Sequence, residues 1–127
     1  MKGGIGMQEL ALNNETIEKI KLEVPELIKS LMKEDLIEIV LYGSCARGDY
    51  TEDSDIDIAL ITKSNRIEAQ KYAGDLAAIA TEFAIKYFAI VNFVCLPHKE
   101  FIEKKNWYAY FKNIEREGEL LYGTGIL

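Results

Sequence analysis

Three short apolar runs that alternate with helical segments constrain the fold more than any other feature of this sequence. The runs cover residues 36–42, 55–62 and 89–96, are rich in Ile, Val and Leu, and border Gly, Ser or Pro. Apolar residues at helical spacing predict one helix over 14–34, before the first run, and another over 65–87, between the second and third runs. This order predicts an α/β (α+β) fold in which helices flank a small mixed β-sheet.

Polar residues and a proline mark the helical segments. Asn13 or Asn14 can cap the first helix and Asn65 the second, because an Asn side chain accepts a hydrogen bond from a free N–H group of the first turn. Pro25 lies inside the first segment and predicts that this helix is kinked or divided. Apolar and aromatic residues over 98–118 predict one or two C-terminal helices.

Length and charge limit the number of domains and the kinds of partner. A chain of 127 residues has the size of one domain, so we expect a single domain over 1–127, with an N-terminal helix (14–34), a core (36–96) and C-terminal helices (98–118). The formal charge of −6, from 15 Lys and Arg against 21 Asp and Glu, argues against nucleic acid or an anionic membrane as a partner. No segment has the apolar length of an export signal or a membrane span, so we expect a cytoplasmic protein.

The residues best suited to bind a metal ion or a phosphate lie in and beside the stretch that joins the first two strands. Gly43 and Ser44 close the first strand, and ten residues later Asp55 and Asp57 begin the second. Strand alternation places both aspartates on one face, where they can ligate one hard cation or bridge two, and Mg²⁺ prefers such ligands. Gly43 lets the backbone approach a phosphate, and Ser44 can donate hydrogen bonds to it. Arg47 can contact a triphosphate or pair with an acid of its own loop.

This arrangement resembles the GS-x10-DxD motif of minimal nucleotidyltransferases in the DNA polymerase β superfamily, and the resemblance covers at least the first two strands. It implies a palm-like nucleotidyltransferase core that transfers a nucleoside monophosphate, AMP from ATP, to an acceptor hydroxyl. In that role Asp55 and Asp57 would be the catalytic residues that hold two Mg²⁺ ions. Gly43, Ser44 and Arg47 would bind the nucleotide.

One position departs from the family pattern. Relatives that transfer nucleotides commonly carry a third carboxylate on the next strand, and the equivalent metal-binding position here is Asn92. An Asn can ligate a metal ion through its carbonyl oxygen, but it brings no charge and cannot act as a base near neutral pH. Glu38 lies five residues before Gly43 and is a weak substitute. Three interpretations stay open: the second metal ion binds weakly, another group deprotonates the acceptor, or the chain is a pseudoenzyme that binds a nucleotide or a partner as a regulatory subunit.

The resemblance also bears on the partner. Because the chain is barely larger than a catalytic core, we expect another protein to present the acceptor. Minimal nucleotidyltransferases often pair with HEPN-domain proteins in toxin–antitoxin modules and modify a tyrosine of the toxin, so the resemblance implies such a partner and an antitoxin role. An antibiotic-modifying transferase is a second enzymatic interpretation, and a homo-oligomer also stays open.

The remaining notable side chains have plainer interpretations. Cys45 and Cys95 are expected to pack among small residues, and His98 to begin a helix at the surface. Five acids between positions 49 and 57 repel one another and predict a loop that Mg²⁺ orders. Four aromatic residues near the C-terminus are expected to pack the last helix on the sheet or, where exposed, to form a partner surface: Trp107, Tyr108, Tyr110 and Phe111.

Overall fold

One four-stranded mixed sheet organises the molecule. The structure is a computed structural model that describes residues 12–125. Its strands are β1 (Leu36–Tyr42), β2 (Ile56–Thr62), β3 (Val91–Pro97) and β4 (Glu119–Tyr122), in the spatial order β3-β2-β1-β4. β1 pairs antiparallel with β2 and with β4, whereas β2 pairs parallel with β3. The predicted fold class is confirmed, and the sheet contains one strand, β4, that the sequence does not predict.

Helices connect the strands and cover both faces of the sheet. Over the described residues they are α1 (Asn14–Met32), α2 (Ser44–Arg47), α3 (Arg66–Ala69), α4 (Ala73–Tyr87), α5 (His98–Lys104) and α6 (Ala109–Glu117). α1 continues through Pro25 to Met32, so the proline does not divide it. The segment predicted as one helix over 65–87 consists of α3, a 3₁₀ turn and α4. None of the helices between residues 12 and 125 combines the length and the apolar character needed to cross a membrane.

Side-chain caps explain where two of the helices begin. Oδ1 of Asn13 accepts the N–H of Thr16 at 2.9 Å, so Asn13 rather than Asn14 caps α1. The Asn65 side chain accepts the N–H of Glu68 at 2.8 Å, and the Glu68 carboxylate accepts the N–H of Asn65 at 3.1 Å. This reciprocal pair satisfies two donors at the first turn of α3. Asn65 therefore fixes the residue at which the helical segment after β2 begins.

Alternating side chains give the sheet two buried faces. On one face, residues of β1 and β2 pack with α1 and α4: Ile39, Ile58, Leu60, Ile20, Val24 and Phe83. On the other face they pack with α5 and α6: Val40, Ala59, Ile61, Phe101, Phe111 and Ile114. Residues two apart on a strand share a face, so Tyr42, Asp57 and Asn92 lie on the α5–α6 side. The α5–α6 layer thus covers the face that carries the predicted site residues.

Asp35 joins the turn before β1 to the segment that follows β2. Its carboxylate accepts the Ser64 N–H at 2.8 Å, the Ser64 hydroxyl at 2.7 Å and the Tyr72 hydroxyl at 2.7 Å. Burial opposes ionisation of Asp35, but these hydrogen bonds and the charge of Lys71 outweigh it and hold the pKa below its ordinary value of 3.8. The folded protein therefore favours the ionised carboxylate.

Acidification is expected to weaken this junction. Because the pKa of Asp35 is lower in the folded chain, its stabilisation is complete above the ordinary value of 3.8 and is lost as the pH falls through the lower, folded value. Asp35→Asn should lower the free energy of unfolding by about 1–3 kcal/mol at neutral pH and flatten its decline in acid. Urea denaturation over a pH series measures both effects, with Asp75→Asn on the exposed face of α4 as the control. An equally steep acid decline in Asp35→Asn would contradict this role.

Candidate active site

Strand pairing brings polar side chains to one end of the α5–α6 face. Tyr42 is paired with Asp57 across β1 and β2, and Asp57 is paired with Asn92 across β2 and β3. Asp55 directly precedes β2. Asp55 and Asp57 are half-buried, and Asn92 is exposed. The three residues predicted to bind metal therefore lie together at a place that solvent reaches.

The amide of Asn92 connects the two aspartates. Its Nδ2 donates to Oδ2 of Asp55 at 3.0 Å and to Oδ1 of Asp57 at 3.2 Å. One donor within reach of both carboxylates means that their oxygens converge on a common point, which suits a hard cation such as Mg²⁺. A rotated Asn92 amide would add its carbonyl oxygen as a further ligand. Within residues 12–125 no group of three or more Asp, Glu, His or Cys side chains could hold a metal ion, so a cation here would have Asp55 and Asp57 as its acidic ligands.

Gly43 lies directly against one of these carboxylates, that of Asp57. Its φ of +76° is in the left-handed region, and a Cβ at this position would lie 2.8 Å from Oδ2 of Asp57. Glycine alone tolerates both the conformation and the close approach. The Gly43 carbonyl accepts the N–H groups of Ala46 and Arg47, each at 3.1 Å, so that α2 begins at Ser44. The residues predicted to bind phosphate therefore lie beside those predicted to bind metal.

Arg47 forms ion pairs with two acids. Its Nε is 3.2 Å from Oδ2 of Asp49, and its Nη1 is 3.2 Å from Oε2 of Glu117 at the end of α6. The pair with a loop acid is one of the two interactions that the sequence predicts, whereas the pair with Glu117 is additional. Exposed ion pairs of this kind contribute little to stability, so a phosphate group can compete for the guanidinium. Contact of Arg47 with a triphosphate stays a prediction.

Two further contacts support the site. The Cys45 thiol donates to the backbone carbonyl of Asp55 at 3.6 Å, and burial raises the pKa of this thiol, which keeps the donor protonated. The hydroxyls of Tyr42 and Tyr110 are 2.8 Å apart, and their rings meet edge to face. Burial, followed by the hydrogen bond with Tyr110, raises the pKa of Tyr42 well above its usual range. Sequence reasoning does not identify this tyrosine pair. The only signal that places Tyr42 near the site is its position directly before Gly43.

Other polar residues lie away from this cluster. Glu38 is buried near the opposite end of β1 and accepts the N–H of Gly125 at 2.5 Å, so it does not replace a third carboxylate. His98 is the first residue of α5. The loop acids Glu52 and Asp53 are exposed.

The model of the nucleotidyltransferase domain family matches residues 17–117, a segment that contains Gly43, Asp55, Asp57 and Asn92. The chain belongs to this family. Two similar curated proteins, both from Methanocaldococcus jannaschii, carry the name "Putative protein adenylyltransferase". One is 35% identical over 105 residues, which are 83% of this chain and 97% of that protein. The other is 35% identical over 78 residues, which are 61% of this chain and 76% of that protein.

Solved structures of toxin–antitoxin proteins share the fold. A toxin–antitoxin crystal structure with AMP-PNP has a TM-score of 0.55 and 21% identity over 82% of this chain and 73% of that chain. A mutant MntA–HpeT toxin–antitoxin structure has a TM-score of 0.54 and 20% identity over the same shares, 82% and 73%. At such identities the similarity is one of fold.

Proposed function

We propose that this nucleotidyltransferase transfers AMP from ATP to an acceptor hydroxyl, with Mg²⁺ as its cofactor. The observation that carries the proposal is the contact of Asn92 with both Asp55 and Asp57, directly beside Gly43. Two carboxylates that converge next to a glycine, which has no side chain to keep a phosphate away from its backbone, suit a metal-bound triphosphate. The names of the curated relatives support AMP as the transferred group and a protein as the acceptor.

Each residue of the site has a role in this transfer. Asp55 and Asp57, with the amide oxygen of Asn92, would hold Mg²⁺, which when bound supplies charge neutralisation at the α-phosphate. Gly43 and Ser44 would bind the β- and γ-phosphates and so orient the leaving pyrophosphate. The acceptor oxygen forms a bond to the α-phosphorus, the bond to pyrophosphate breaks, and the acceptor proton passes to solvent because the neutral Asn92 amide cannot accept it.

The acceptor in this proposal is a tyrosine hydroxyl of a HEPN-domain toxin, and the chain is the antitoxin. The relatives named as protein adenylyltransferases support a protein acceptor. The toxin–antitoxin structures of the same fold support a toxin as that protein, and the AMP-PNP complex among them supports a nucleotide triphosphate as the donor.

Asn92 favours a second candidate function, that of a pseudoenzyme. Its amide satisfies both carboxylates by hydrogen bonds, yet it brings neither the charge nor the base that a third carboxylate would bring. A chain that binds ATP without turnover would then act through its interface, as a regulatory subunit or an antitoxin.

Label transfer separates the two functions. The purified chain is incubated with Mg²⁺ or Mn²⁺, α-labelled ATP and the product of the neighbouring gene. The enzyme is expected to label that partner, and Asp55→Ala should lower transfer about a thousandfold because the loss of a metal ligand removes several kcal/mol of transition-state stabilisation. Asp53→Ala is the matched control, since Asp53 is an exposed acid of the same loop and lies outside the cluster.

Asn92→Asp tests the alternative. Transfer by wild type supports the enzyme, whereas transfer by Asn92→Asp alone supports the pseudoenzyme. If both proteins are inactive and neither binds ATP, both candidate functions are wrong.

A further inference from the structure

Helix α6 contacts the chain on both sides of the turn at Gly43. Its second residue, Tyr110, meets the hydroxyl of Tyr42, which directly precedes Gly43. Its last residue, Glu117, lies 3.2 Å from Nη1 of Arg47, the last residue of α2. The segment to which the proposed transfer assigns the β- and γ-phosphates therefore lies between two contacts with one helix.

The backbone at Glu117 is held on both sides. Before it, Ile114 is 2% exposed and packs in the core between α5, α6 and the sheet. After it, the Gly118 N–H donates to the carbonyl of Ile114 at 3.0 Å. Glu119 then begins β4 and pairs with Leu41 of β1. A change at the contact with α2 is therefore a movement of side chains and not of α6.

The guanidinium of Arg47 has two edges that can hold a phosphate. The inner edge consists of Nε and Nη2 and the terminal edge of Nη1 and Nη2, and the parallel N–H groups of either edge can donate two hydrogen bonds to one phosphate. Nε is 3.2 Å from Oδ2 of Asp49, and Nη1 is 3.2 Å from Oε2 of Glu117. Because a carboxylate engages one donor of each edge, a phosphate that takes both donors of an edge displaces one of the two acids.

The two acids differ in how they respond when the side chain of Arg47 turns. Asp49 lies two residues after Arg47 in the chain, so its contact with Nε, near the stem of the side chain, persists when the terminal edge turns. Glu117 lies 70 positions away on a helix that is held in place, so a turn of the terminal edge toward the phosphates separates this pair. The terminal edge is therefore the one that a phosphate takes more readily, with Glu117 as the acid that it displaces.

We propose that Glu117 competes with the triphosphate for the terminal edge of Arg47 and so sets the affinity of the site for ATP. Glu117 is a positioning residue, because it acts through Arg47 and holds the guanidinium while no nucleotide is bound. The inference rests on the proposed function for the contact between Arg47 and ATP. The Glu117 side chain is 37% exposed, so water solvates its carboxylate once a phosphate has taken its place. The exchange lowers the affinity for ATP without preventing binding, and its reversal helps pyrophosphate to leave.

Equilibrium binding of ATP with Mg²⁺ to the whole chain, without an acceptor, tests this competition. Glu117→Gln keeps the shape of the side chain and removes its charge, so it should lower the Kd for ATP about threefold, the order of effect of one exposed ion pair. Glu115→Gln removes the same charge from the same helix, but Glu115 pairs with Lys105 at 2.6 Å, so the Kd should stay unchanged. The gain in Glu117→Gln should shrink in about 0.5 M NaCl, because salt screens exposed charges.

Arg47→Gln completes a double-mutant cycle. Because Glu117 acts through Arg47, Glu117→Gln should have no effect on the Kd for ATP in the Arg47→Gln background. An unchanged Kd in Glu117→Gln alone, an equal gain in Glu115→Gln, or a gain that persists without Arg47 would each overturn the proposal. Thermal unfolding shows that the variants are folded.

Inorganic tripolyphosphate with Mg²⁺ separates this inference from the proposed function. It should show the same pattern of Kd values as ATP, because the contact with Arg47 involves phosphates alone. If tripolyphosphate shows the pattern and ATP is not bound, the proposed function is wrong and the competition for Arg47 stands. If ATP binds wild type and Glu117→Gln equally, the competition alone is wrong. If neither probe binds any of these proteins, both are wrong.

Discussion

Gly43→Ala is expected to lower nucleotidyl transfer about a hundredfold or more while the sheet stays folded. A Cβ at position 43 would lie 2.8 Å from Oδ2 of Asp57, a distance that Cβ atoms in proteins do not show, so the carboxylate must move. That movement also disturbs the hydrogen bond from Asn92 to Asp57. Displacement of a positioned catalytic group by about 1 Å costs on the order of a hundredfold in rate.

Gly48→Ala is the matched control for this prediction. Gly48 also has a positive φ, +88° compared with +76° at Gly43, but a Cβ there meets no atom within 4 Å. Both substitutions carry backbone strain, which is larger at Gly43 because its ψ of −158° lies in a region restricted to glycine, whereas the ψ of 4° at Gly48 is αL. Only the substitution at Gly43 reaches Asp57. Thermal unfolding measures how much the backbone strain lowers stability in each variant. Steady-state kinetics of transfer measure the effect of the displaced Asp57 carboxylate. Equal losses of transfer in the two variants would show that strain, rather than the displaced carboxylate, is responsible.

The fold could be predicted from the sequence where its signals are local. The runs 36–42 and 89–96 carry β-branched residues and end at glycine or proline, and they form β1 and β3 to within two residues. The sequence does not indicate β4, because Glu119–Tyr122 is four residues long, has no β-branched residue and becomes a strand only through its pairing with β1. Local sequence signals therefore predict β1 and β3, whereas β4 is a strand at the edge of the sheet that forms only by pairing with β1.

The candidate site likewise combines residues that the sequence indicates with contacts that it does not indicate. Gly43, Asp55 and Asp57 are close in the sequence, so their spacing alone indicates a common site. By contrast, Arg47 has a second partner in Glu117 and Tyr42 has its partner in Tyr110, and these lie 70 and 68 positions further along the chain. Such contacts depend on how α6 packs on the sheet, and no local pattern encodes that packing. The position of Asn92 follows from the third strand, but its contact with both carboxylates requires the register between β2 and β3.

Phe101→Ala is expected to have the largest effect on stability. Phe101 of α5 is 1% exposed, and its ring centroid lies 5.6 Å from that of Phe111 in α6. Its removal should lower the free energy of unfolding by about 3–5 kcal/mol, because a cavity adds to the lost burial. The neighbouring Ile102 is 39% exposed, so Ile102→Ala should change the same free energy by less than about 1 kcal/mol. Urea denaturation of both variants makes the comparison. An unchanged free energy of unfolding in Phe101→Ala would contradict the place of Phe101 in the core between α5, α6 and the sheet.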